Sequence, residues 1–266
     1  MRVIIESDYQ ALSQWAANYV ASKINAANPT PEKPFVLGCP TGSSPLGMYK
    51  ALIELNKQGK VSFQNVVTFN MDEYVGLPED HPESYHTFMW KNFFNHIDIK
   101  KENSTYTKRK CRRPGSRMRQ LRKANSRNRR HRPVYGRYRS RRTYRIQRTG
   151  FIFVFTHTYQ NIDYRYNHCQ LTFFDNDVNK VPKTALTVGV GTVLSAKEVL
   201  IICNGHNKAR ALQHAVEGGI TQMWTISALQ MHQHGIIVCD EAATDELKSR
   251  YLQIFQKISK KLICNL

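Results

Sequence analysis

The adjacent acids Asp72 and Glu73 are the first candidates for chemistry in this sequence, because they follow shortly after the apolar stretch 66–69. A carboxyl group that is partly buried at the end of a strand has its pKa raised toward neutrality, which suits it to moving a proton. The structural alternative is that one of the two acids only caps the next turn. The pattern by itself leaves both interpretations open.

A second candidate is the segment 39–45, Cys-Pro-Thr-Gly-Ser-Ser-Pro, between a predicted strand and a predicted helix. Gly42 allows a close backbone approach, Thr41, Ser43 and Ser44 offer hydroxyls, and the start of the helix presents unpaired N–H groups. Together these features favour an anion, most naturally a phosphate. No Gly-Lys-Ser/Thr follows, so the segment is not a nucleotide-binding P-loop. An ordinary Ser-Pro helix cap explains the spacing about as well.

The third candidate is Lys208, in the segment Cys-Asn-Gly-His-Asn-Lys at 203–208. A lysine in the first turn of a helix, after a strand and a glycine turn, can supply a cation to the same anion. The signal is weak, since most such lysines are solvated. The spacing of the histidines matches no His-Glu-x-x-His pattern, so we expect no metal site.

The elements that must position these residues alternate between strand and helix. Nearly continuous apolar stretches predict strands at 35–39, 66–69, 185–190, 199–203, 224–226 and 236–239, and amphipathic or capped stretches predict helices at 9–27, 44–57, 208–217 and 228–232. This alternation predicts an α/β fold, a Rossmann-like parallel sheet with helices on both faces, in a single domain over 1–266. Ligands bind outside the carboxyl ends of the strands in such a sheet, where all three candidates lie.

The composition argues against a membrane or secreted protein. No stretch of 18 or more apolar residues occurs, and the first ten residues, which include Glu6 and Asp8, lack the apolar centre of a signal peptide. The six cysteines are scattered without a Cys-x-x-Cys pair. We therefore expect a cytoplasmic protein with reduced cysteines, and no disulfide or zinc framework.

The basic charge of the chain is concentrated in one segment. Between Lys108 and Arg148 lie 19 of the 39 lysines and arginines and no acid, so the rest of the chain carries 20 basic and 20 acidic residues. The segment has 16 Arg and 3 Lys and no apolar stripe at helical spacing, and it cannot bury enough apolar surface to offset its ordering entropy. Taken alone, it is typical of a nucleic-acid-binding arm, in which Tyr135, Tyr138 and Tyr144 could stack on bases.

Six ordered motifs closely resemble the glucosamine-6-phosphate deaminase family. They are FVLGCPTGSSP at 35–45, TFNMDEYVGL at 68–77, HPESY at 81–85, LTVGVGT at 186–192, GHNKA at 205–209 and MWTIS at 223–227. The resemblance covers roughly residues 1–103 and 173–248. It is more specific than a resemblance to the wider group that includes 6-phosphogluconolactonases and sugar-phosphate isomerases.

The resemblance implies a reaction and a set of roles. Family members open the ring of glucosamine 6-phosphate, move a proton between C2 and C1, and release ammonia to leave fructose 6-phosphate, without a metal or organic cofactor. It implies that Asp72 is the base that moves the proton. It further implies that Thr41, Gly42, Ser43 and Ser44, with Lys208, hold the phosphate, and Glu73 and Tyr85 are candidates for supporting the substrate site.

The resemblance also implies partners. Family members are commonly homo-oligomers, often hexamers, and some are activated by N-acetylglucosamine 6-phosphate. We therefore expect an oligomer that binds a sugar phosphate, with neither nucleic acid nor a membrane as a partner.

The resemblance is interrupted between about Ser104 and Thr172, across the Arg-rich segment, and resumes at Phe173. In this interval the family carries an Asp, a His and a Glu that assist ring opening, and an arginine before the Phe-Phe pair that contacts phosphate. This chain has no Asp-Gly-His element there, and Thr172 stands before Phe173. A compensated pair of frameshifts would keep the length and lose the identity, and it would explain arginine in place of lysine and the lack of acids between Glu102 and Asp163. The tail from about Ser249 also departs from the family.

Three functions are consistent with these observations. The first is a deaminase whose chain, as written, is impaired by the Arg-rich segment at 104–172. The second is a non-catalytic protein that uses this segment to bind nucleic acid. The third keeps the fold and changes the reaction to that of a related sugar-phosphate isomerase or lactonase.

Overall fold

The computed structural model describes residues 1–105, 150–152, 157–161, 177, 182 and 184–248. Outside these residues lie most of the Arg-rich segment, Thr172 and the tail from Ser249. The expectations for these parts of the chain stay predictions. The described strands are β1 (Arg2–Glu6), β2 (Phe35–Cys39), β3 (Val66–Asn70), β4 (Asp72–Tyr74), β5 (Ser104–Thr105), β6 (Gly150–Ile152), β7 (His157–Asn161), β8 (Thr184–Val188), β9 (Val199–Cys203) and β10 (Gly235–Asp240).

The described helices are α1 (Tyr9–Ala27), α2 (Leu46–Lys57), α3 (Tyr85–Asn92), α4 (Val190–Val193) and α5 (Ala209–Val216), and short 3₁₀ helices lie at Phe94–His96, Lys101–Asn103, His206–Lys208, Thr225–Met231 and Glu241–Thr244. The predicted helix at 9–27 is confirmed. Those at 44–57 and 208–217 are also confirmed, with starts shifted by one or two residues. The predicted short helix at 228–232 overlaps the 3₁₀ helix Thr225–Met231, which begins three residues earlier and ends one residue earlier.

The strands form one four-stranded and two three-stranded sheets within the described part of the chain. In the first, with order β1-β10-β9-β6, the strands β1, β10 and β9 run parallel and β6 is antiparallel to β9. The second, β2-β3-β5, is parallel throughout. The third, β4-β8-β7, is antiparallel. The predicted α/β architecture is confirmed, and the strands that lead into the three candidate segments, β2, β3 and β9, each have parallel neighbours.

Two expectations about strands were wrong. The stretch 185–190 was placed in the parallel sheet, but β8 pairs antiparallel with β4 and β7. An apolar run indicates a buried strand without indicating the direction of its neighbours, which explains the error. The stretch 224–226 was expected to be a strand, but Trp224 precedes a 3₁₀ helix.

The sheet β1-β10-β9 lies between two apolar layers because alternate residues of a strand point to opposite faces. On one face Ile4, Ile202 and Val238 join a core formed with α1, α2, α3 and the β2-β3 sheet. On the other face Ile5, Ile201 and Ile237 pack with α5 and the segment 226–247. Helices therefore cover both faces, as expected for buried parallel strands.

Helix α1 is the main element of the first layer. It begins after Asp8, whose carboxylate accepts the N–H of Ala11 at 2.8 Å, and it ends at Asn28 in the left-handed conformation (φ 42°). Leu12, Ala16, Val20 and Ile24 are buried along one face of α1, as the sequence pattern predicts. None of the described helices is long and apolar enough to cross a membrane.

Candidate active site

Asp72 is the first residue of β4, and antiparallel pairing sets it directly opposite Thr187 of β8. The Thr187 hydroxyl donates a hydrogen bond to Oδ1 of Asp72 over 2.5 Å. Thr187 is buried, while Asp72 keeps partial access to solvent. The pairing of two strands that are far apart in the sequence thus fixes the orientation of this carboxyl group.

The environment of Asp72 raises its pKa from 3.8 to about 6. The largest cause is burial, which disfavours the charged form, and the negative charge of Glu73 adds to it, whereas the Thr187 hydrogen bond lowers the pKa. A carboxyl group with a pKa near 6 is mostly ionised at neutral pH and accepts a proton more readily than an ordinary aspartate. That is the property a general base requires.

Glu73 has a different position, because consecutive side chains of a strand point to opposite faces. Its carboxylate is buried and accepts the backbone N–H of Tyr85 at 3.3 Å, of His86 at 3.1 Å and of its neighbour Tyr74 at 2.9 Å. Tyr85 and His86 are the first two residues of α3, so Glu73 caps this helix. Of the two acids, Glu73 is therefore the one with a structural role, as a cap of the segment that follows.

Tyr85 begins α3 and lies against the end of β4. Its ring packs on that of Tyr74 with 4.7 Å between ring centroids and a tilt of 41°. The preceding residue, Ser84, is fully buried and its hydroxyl accepts the N–H of Thr87 at 3.0 Å. The start of α3 is thereby held against the strand that carries Asp72.

The segment after β2 forms the predicted strand-to-helix turn. Gly42 has φ 112°, in the region that favours glycine, and α2 begins at Leu46. Within the described part of the chain, the backbone N–H groups of Gly42, Ser43 and Ser44 have no hydrogen-bond partner, and neither do the hydroxyls of Thr41, Ser43 and Ser44. A turn with several donors left over at a helix N-terminus is an arrangement that accommodates an anion.

Lys208 ends the 3₁₀ turn His206–Lys208, which follows β9, and leads into α5. Its positive charge lowers the pKa of the nearby Cys203 thiol, although burial, the larger cause, raises that pKa to about 12. Lys208 and the turn at 41–44 each follow the carboxyl end of a parallel strand. Their convergence on one anion stays a prediction.

Asp240 is a residue that the sequence analysis missed. It is buried at the end of β10, and its two carboxylate oxygens accept the N–H of Gly205 at 2.9 and 3.0 Å. Oδ1 also accepts the N–H of Ala243 at 3.0 Å. Asp240 therefore fixes the turn at Gly205 (φ 76°) that leads to Lys208. An acid at the end of an apolar strand, the signal that pointed to Asp72, could have identified it.

Comparison with known proteins identifies the family. The model of the family described as glucosamine-6-phosphate isomerases/6-phosphogluconolactonase matches residues 7–131. Glucosamine-6-phosphate deaminase from Phocaeicola vulgatus is 71% identical over an alignment of 276 positions, which covers 98% of this chain and 99% of that protein. This chain belongs to the glucosamine-6-phosphate deaminase family. A more distant member, glucosamine-6-phosphate deaminase from Borreliella burgdorferi, is 50% identical over 98% of this chain and 97% of its own length.

Solved structures agree with this family assignment. A monomeric glucosamine-6-phosphate deaminase superposes with a TM-score of 0.75 at 29% identity, covering 91% of this chain and 98% of its own. A 6-phosphogluconolactonase from Leishmania guyanensis superposes with a TM-score of 0.63 at 14% identity over 93% of this chain and 99% of its own. The second likeness extends to the fold alone. Among the described residues, no group of three or more His, Cys, Asp or Glu side chains could hold a metal ion.

Proposed function

We propose that this chain is built to convert glucosamine 6-phosphate to fructose 6-phosphate and ammonia. The observation that carries the proposal is the Asp72 carboxyl, held by Thr187 and given a pKa of about 6, in a chain of this family. A base with that pKa suits abstraction of a proton next to a carbonyl at neutral pH. The relatives' names supply the substrate class, because Asp72 by itself does not distinguish one sugar phosphate from another.

The reaction requires the transfer of one proton from C2 of the sugar to the neighbouring carbon C1. In the open-chain amino sugar, Asp72 takes the proton from C2, the electron pair forms a C1=C2 double bond, and O1 takes up a proton released by the substrate's ammonium group, which gives an enolamine. The protonated Asp72 then delivers this proton to C1, which leaves an imine at C2. That delivery regenerates Asp72 as the carboxylate. Water then adds to the imine carbon and ammonia departs, so one water is consumed.

The substrate's phosphate is assigned to the turn after β2. Thr41, Gly42, Ser43 and Ser44 offer unpaired backbone and hydroxyl donors there, at the N-terminus of the 12-residue helix α2. The dipole of a helix favours negative charge at this end, and Lys208 supplies a full positive charge if it faces the same anion. Tyr85, packed on Tyr74 at the end of β4, is assigned to the wall of the sugar site.

The decisive test uses an active form of the chain, in which residues 104–172 are replaced by the corresponding segment of the Phocaeicola vulgatus relative. We expect this chimera to release ammonia from glucosamine 6-phosphate. The Asp72→Asn chimera should lose turnover by about a hundred- to ten-thousandfold while it still binds fructose 6-phosphate, because Asn keeps the shape and cannot accept the proton. Near-normal turnover of the Asp72→Asn form would remove Asp72 from the proposed role.

The same chimera separates deamination from the related reactions of the fold. Supplied with 6-phosphogluconolactone, or with sugar phosphates that lack the amino group, it should show little turnover compared with glucosamine 6-phosphate. A preference for the lactone would replace the proposed reaction with hydrolysis of a sugar lactone. Binding of nucleic acid by the chain, at physiological salt and with no turnover in the chimera, would instead favour the non-catalytic alternative.

Assembly, activation and location are further parts of the proposal. We propose a homo-oligomer, a hexamer by resemblance, that responds to N-acetylglucosamine 6-phosphate. The family also contains a monomeric enzyme, so family membership alone does not determine the oligomeric state. The buried free thiols of Cys39, Cys203 and Cys239 are consistent with the proposed cytoplasmic location.

A further inference from the structure

Tyr9, the first residue of α1, reaches across to the turn after β2. Its hydroxyl lies 2.9 Å from the carbonyl oxygen of Ser43 and 3.1 Å from that of Ser44, and it donates its single proton between them. The same hydroxyl accepts the backbone N–H of Gly47 at 2.8 Å. One side-chain oxygen thus bonds two carbonyl groups of the candidate phosphate turn and one N–H group at the start of α2.

Gly47 makes this contact close. A Cβ atom at Gly47 would lie 2.2 Å from Oγ and 2.8 Å from Cβ of Ser13, and 3.0 Å from the Tyr9 hydroxyl. Ser13 is buried, so no room exists for it to move aside cheaply. The start of α2 therefore lies directly against α1, and only glycine fits at the contact.

The hydrogen bonds of Tyr9 help to set which way the peptide group between Ser43 and Ser44 faces, and the carbonyl of Ser43 also accepts the N–H of Leu46 at 3.3 Å. In a planar trans peptide the C=O and the following N–H point in opposite directions. Because the carbonyl of Ser43 points to Tyr9 on α1, the N–H of Ser44 points away from α1. The N–H of Gly47 is used by Tyr9, while those of Gly42, Ser43 and Ser44 have no partner among the described residues.

We infer that Tyr9 is a positioning residue for phosphate binding: it holds the turn so that the N–H groups of Gly42, Ser43 and Ser44 are presented together to the substrate's phosphate. Tyr9 acts through the backbone and does not itself touch the anion. This inference rests on the proposed function, because it assigns the turn to the phosphate of a sugar phosphate.

The test is Tyr9→Phe, with Tyr19→Phe as its matched control. Both substitutions remove one hydroxyl from a partly buried tyrosine of α1, but the Tyr19 hydroxyl bonds Glu198 at 2.7 Å and Arg2 at 3.3 Å instead of the turn. Inorganic phosphate and fructose 6-phosphate are the probes. Because the 19 basic residues between Lys108 and Arg148 also attract phosphate, binding is followed by the NMR amide signals of Gly42, Ser43 and Ser44.

We expect both probes to bind the turn of Tyr9→Phe roughly five- to fiftyfold more weakly than the parent, since the hydrogen bonds that orient the donors are lost. Tyr19→Phe should match the parent. Amide exchange at Gly47 should accelerate in Tyr9→Phe alone, because a residue in the first turn of a helix has no intrahelical partner for its N–H. If the two variants unfold at similar temperatures, a general loss of stability cannot explain weaker phosphate binding and faster exchange at Gly47 in Tyr9→Phe alone.

Equal affinity at the turn in Tyr9→Phe and the parent, or unchanged exchange at Gly47, would overturn the inference and leave the proposed reaction standing. Absence of phosphate-dependent shifts at Gly42 to Ser44 in the parent would overturn it as well, by removing the phosphate from this turn. Ammonia release by the chimera then judges the deaminase proposal separately.

Discussion

Asp72 and Glu73 are neighbours of the same chemical type with different tasks. Antiparallel pairing sets the Asp72 carboxyl beside the Thr187 hydroxyl, with partial access to solvent. Strand alternation turns Glu73 to the other face, where its carboxylate meets the N–H groups that open α3. Location, rather than residue type, therefore decides which acid is available for chemistry.

The raised pKa of Asp72 predicts a stability effect with a definite sign. With a pKa of 3.8 when unfolded and about 6 when folded, the carboxyl binds more protons in the folded state between these values, so the free energy of unfolding falls as the pH rises from about 4 to 6. We expect Asp72→Asn to unfold at a higher temperature than the parent at pH 7.5. The gain is at most about 3 kcal/mol, and it should disappear near pH 4. Thermal unfolding at both pH values measures it, and a difference independent of pH would contradict the raised pKa.

Thr187 predicts a shift of the pH profile. Its hydrogen bond lowers the pKa of Asp72, so Thr187→Val, which keeps the shape and loses the hydroxyl, should raise that pKa further. Below the new pKa a larger fraction of Asp72 is protonated and unable to act as a base. In the active chimera, the acid limb of kcat/KM should therefore move to higher pH. The profile is measured as ammonia release from pH 5 to 9, and a limb that stays in place would show that Thr187 does not tune the base.

At the scale of elements, carboxylates and hydroxyls close the ends of strands and helices around the site. Glu73 and Ser84 satisfy the first three N–H groups of α3, and Asp240 satisfies Gly205 and Ala243 beside Lys208. Glu73 and Asp240 belong to strands and accept from segments outside those strands, whereas Ser84 caps its own helix. The loops that carry the candidate residues are therefore fixed to the sheet by buried polar contacts.

The cap on α3 predicts a loss of stability on removal of one acceptor. In Glu73→Gln the side chain keeps one oxygen, and an NH₂ group replaces the other. This NH₂ group faces a backbone N–H, from which it cannot accept a hydrogen bond. We expect a loss of about 1–3 kcal/mol in the free energy of unfolding, because a buried donor is left unsatisfied. The control is Glu54→Gln, which breaks an exposed ion pair with Lys57 and should change stability by less than about 1 kcal/mol. Urea denaturation of the two variants compares them, and equal losses would show that Glu73 is not an important cap.

At the scale of the whole molecule, the candidate residues Asp72, 41–44 and Lys208 all lie outside the Arg-rich segment, in the part of the chain where acidic and basic residues are equal in number. The interval 104–172, where the resemblance implies the ring-opening residues, contains no Asp-Gly-His element. Catalytic groups that act as a unit fail together, so the loss of one partner removes most of the rate.

We therefore expect the chain as written to release little or no ammonia from glucosamine 6-phosphate, and the chimera to be active. The measurement is ammonia release by both proteins, purified with their sequences verified. Comparable turnover in the two would show that the Arg-rich segment is a working replacement for the family's segment, and the frameshift interpretation would be abandoned. Light scattering on the same samples gives the oligomeric state.

The sequence by itself determined those features whose cause is local. The helix at 9–27 follows from its apolar spacing and the strand at 35–39 from its apolar run, and both lie where expected. The glycine turn at Gly42 also follows from neighbouring residues, whereas Asp72, expected in a loop after the strand at 66–69, begins the short strand β4. Recognition of the family adds the substrate and the roles, because ordered motifs carry information that composition lacks.

Only the tertiary structure decided which distant groups meet. Thr187 bonds Asp72 across 115 residues, Tyr9 reaches Ser43 across 34, and Asp240 holds Gly205 across 35. A hydrogen bond between such partners leaves no periodic pattern in the sequence, because the fold brings the two residues together and no regular spacing relates them. The antiparallel pairing of β8 was missed for the same reason, since the direction of a strand is set by its neighbours in space. Thus the sequence identified Asp72 as a candidate base, and packing set the orientation and the pKa of its carboxyl group.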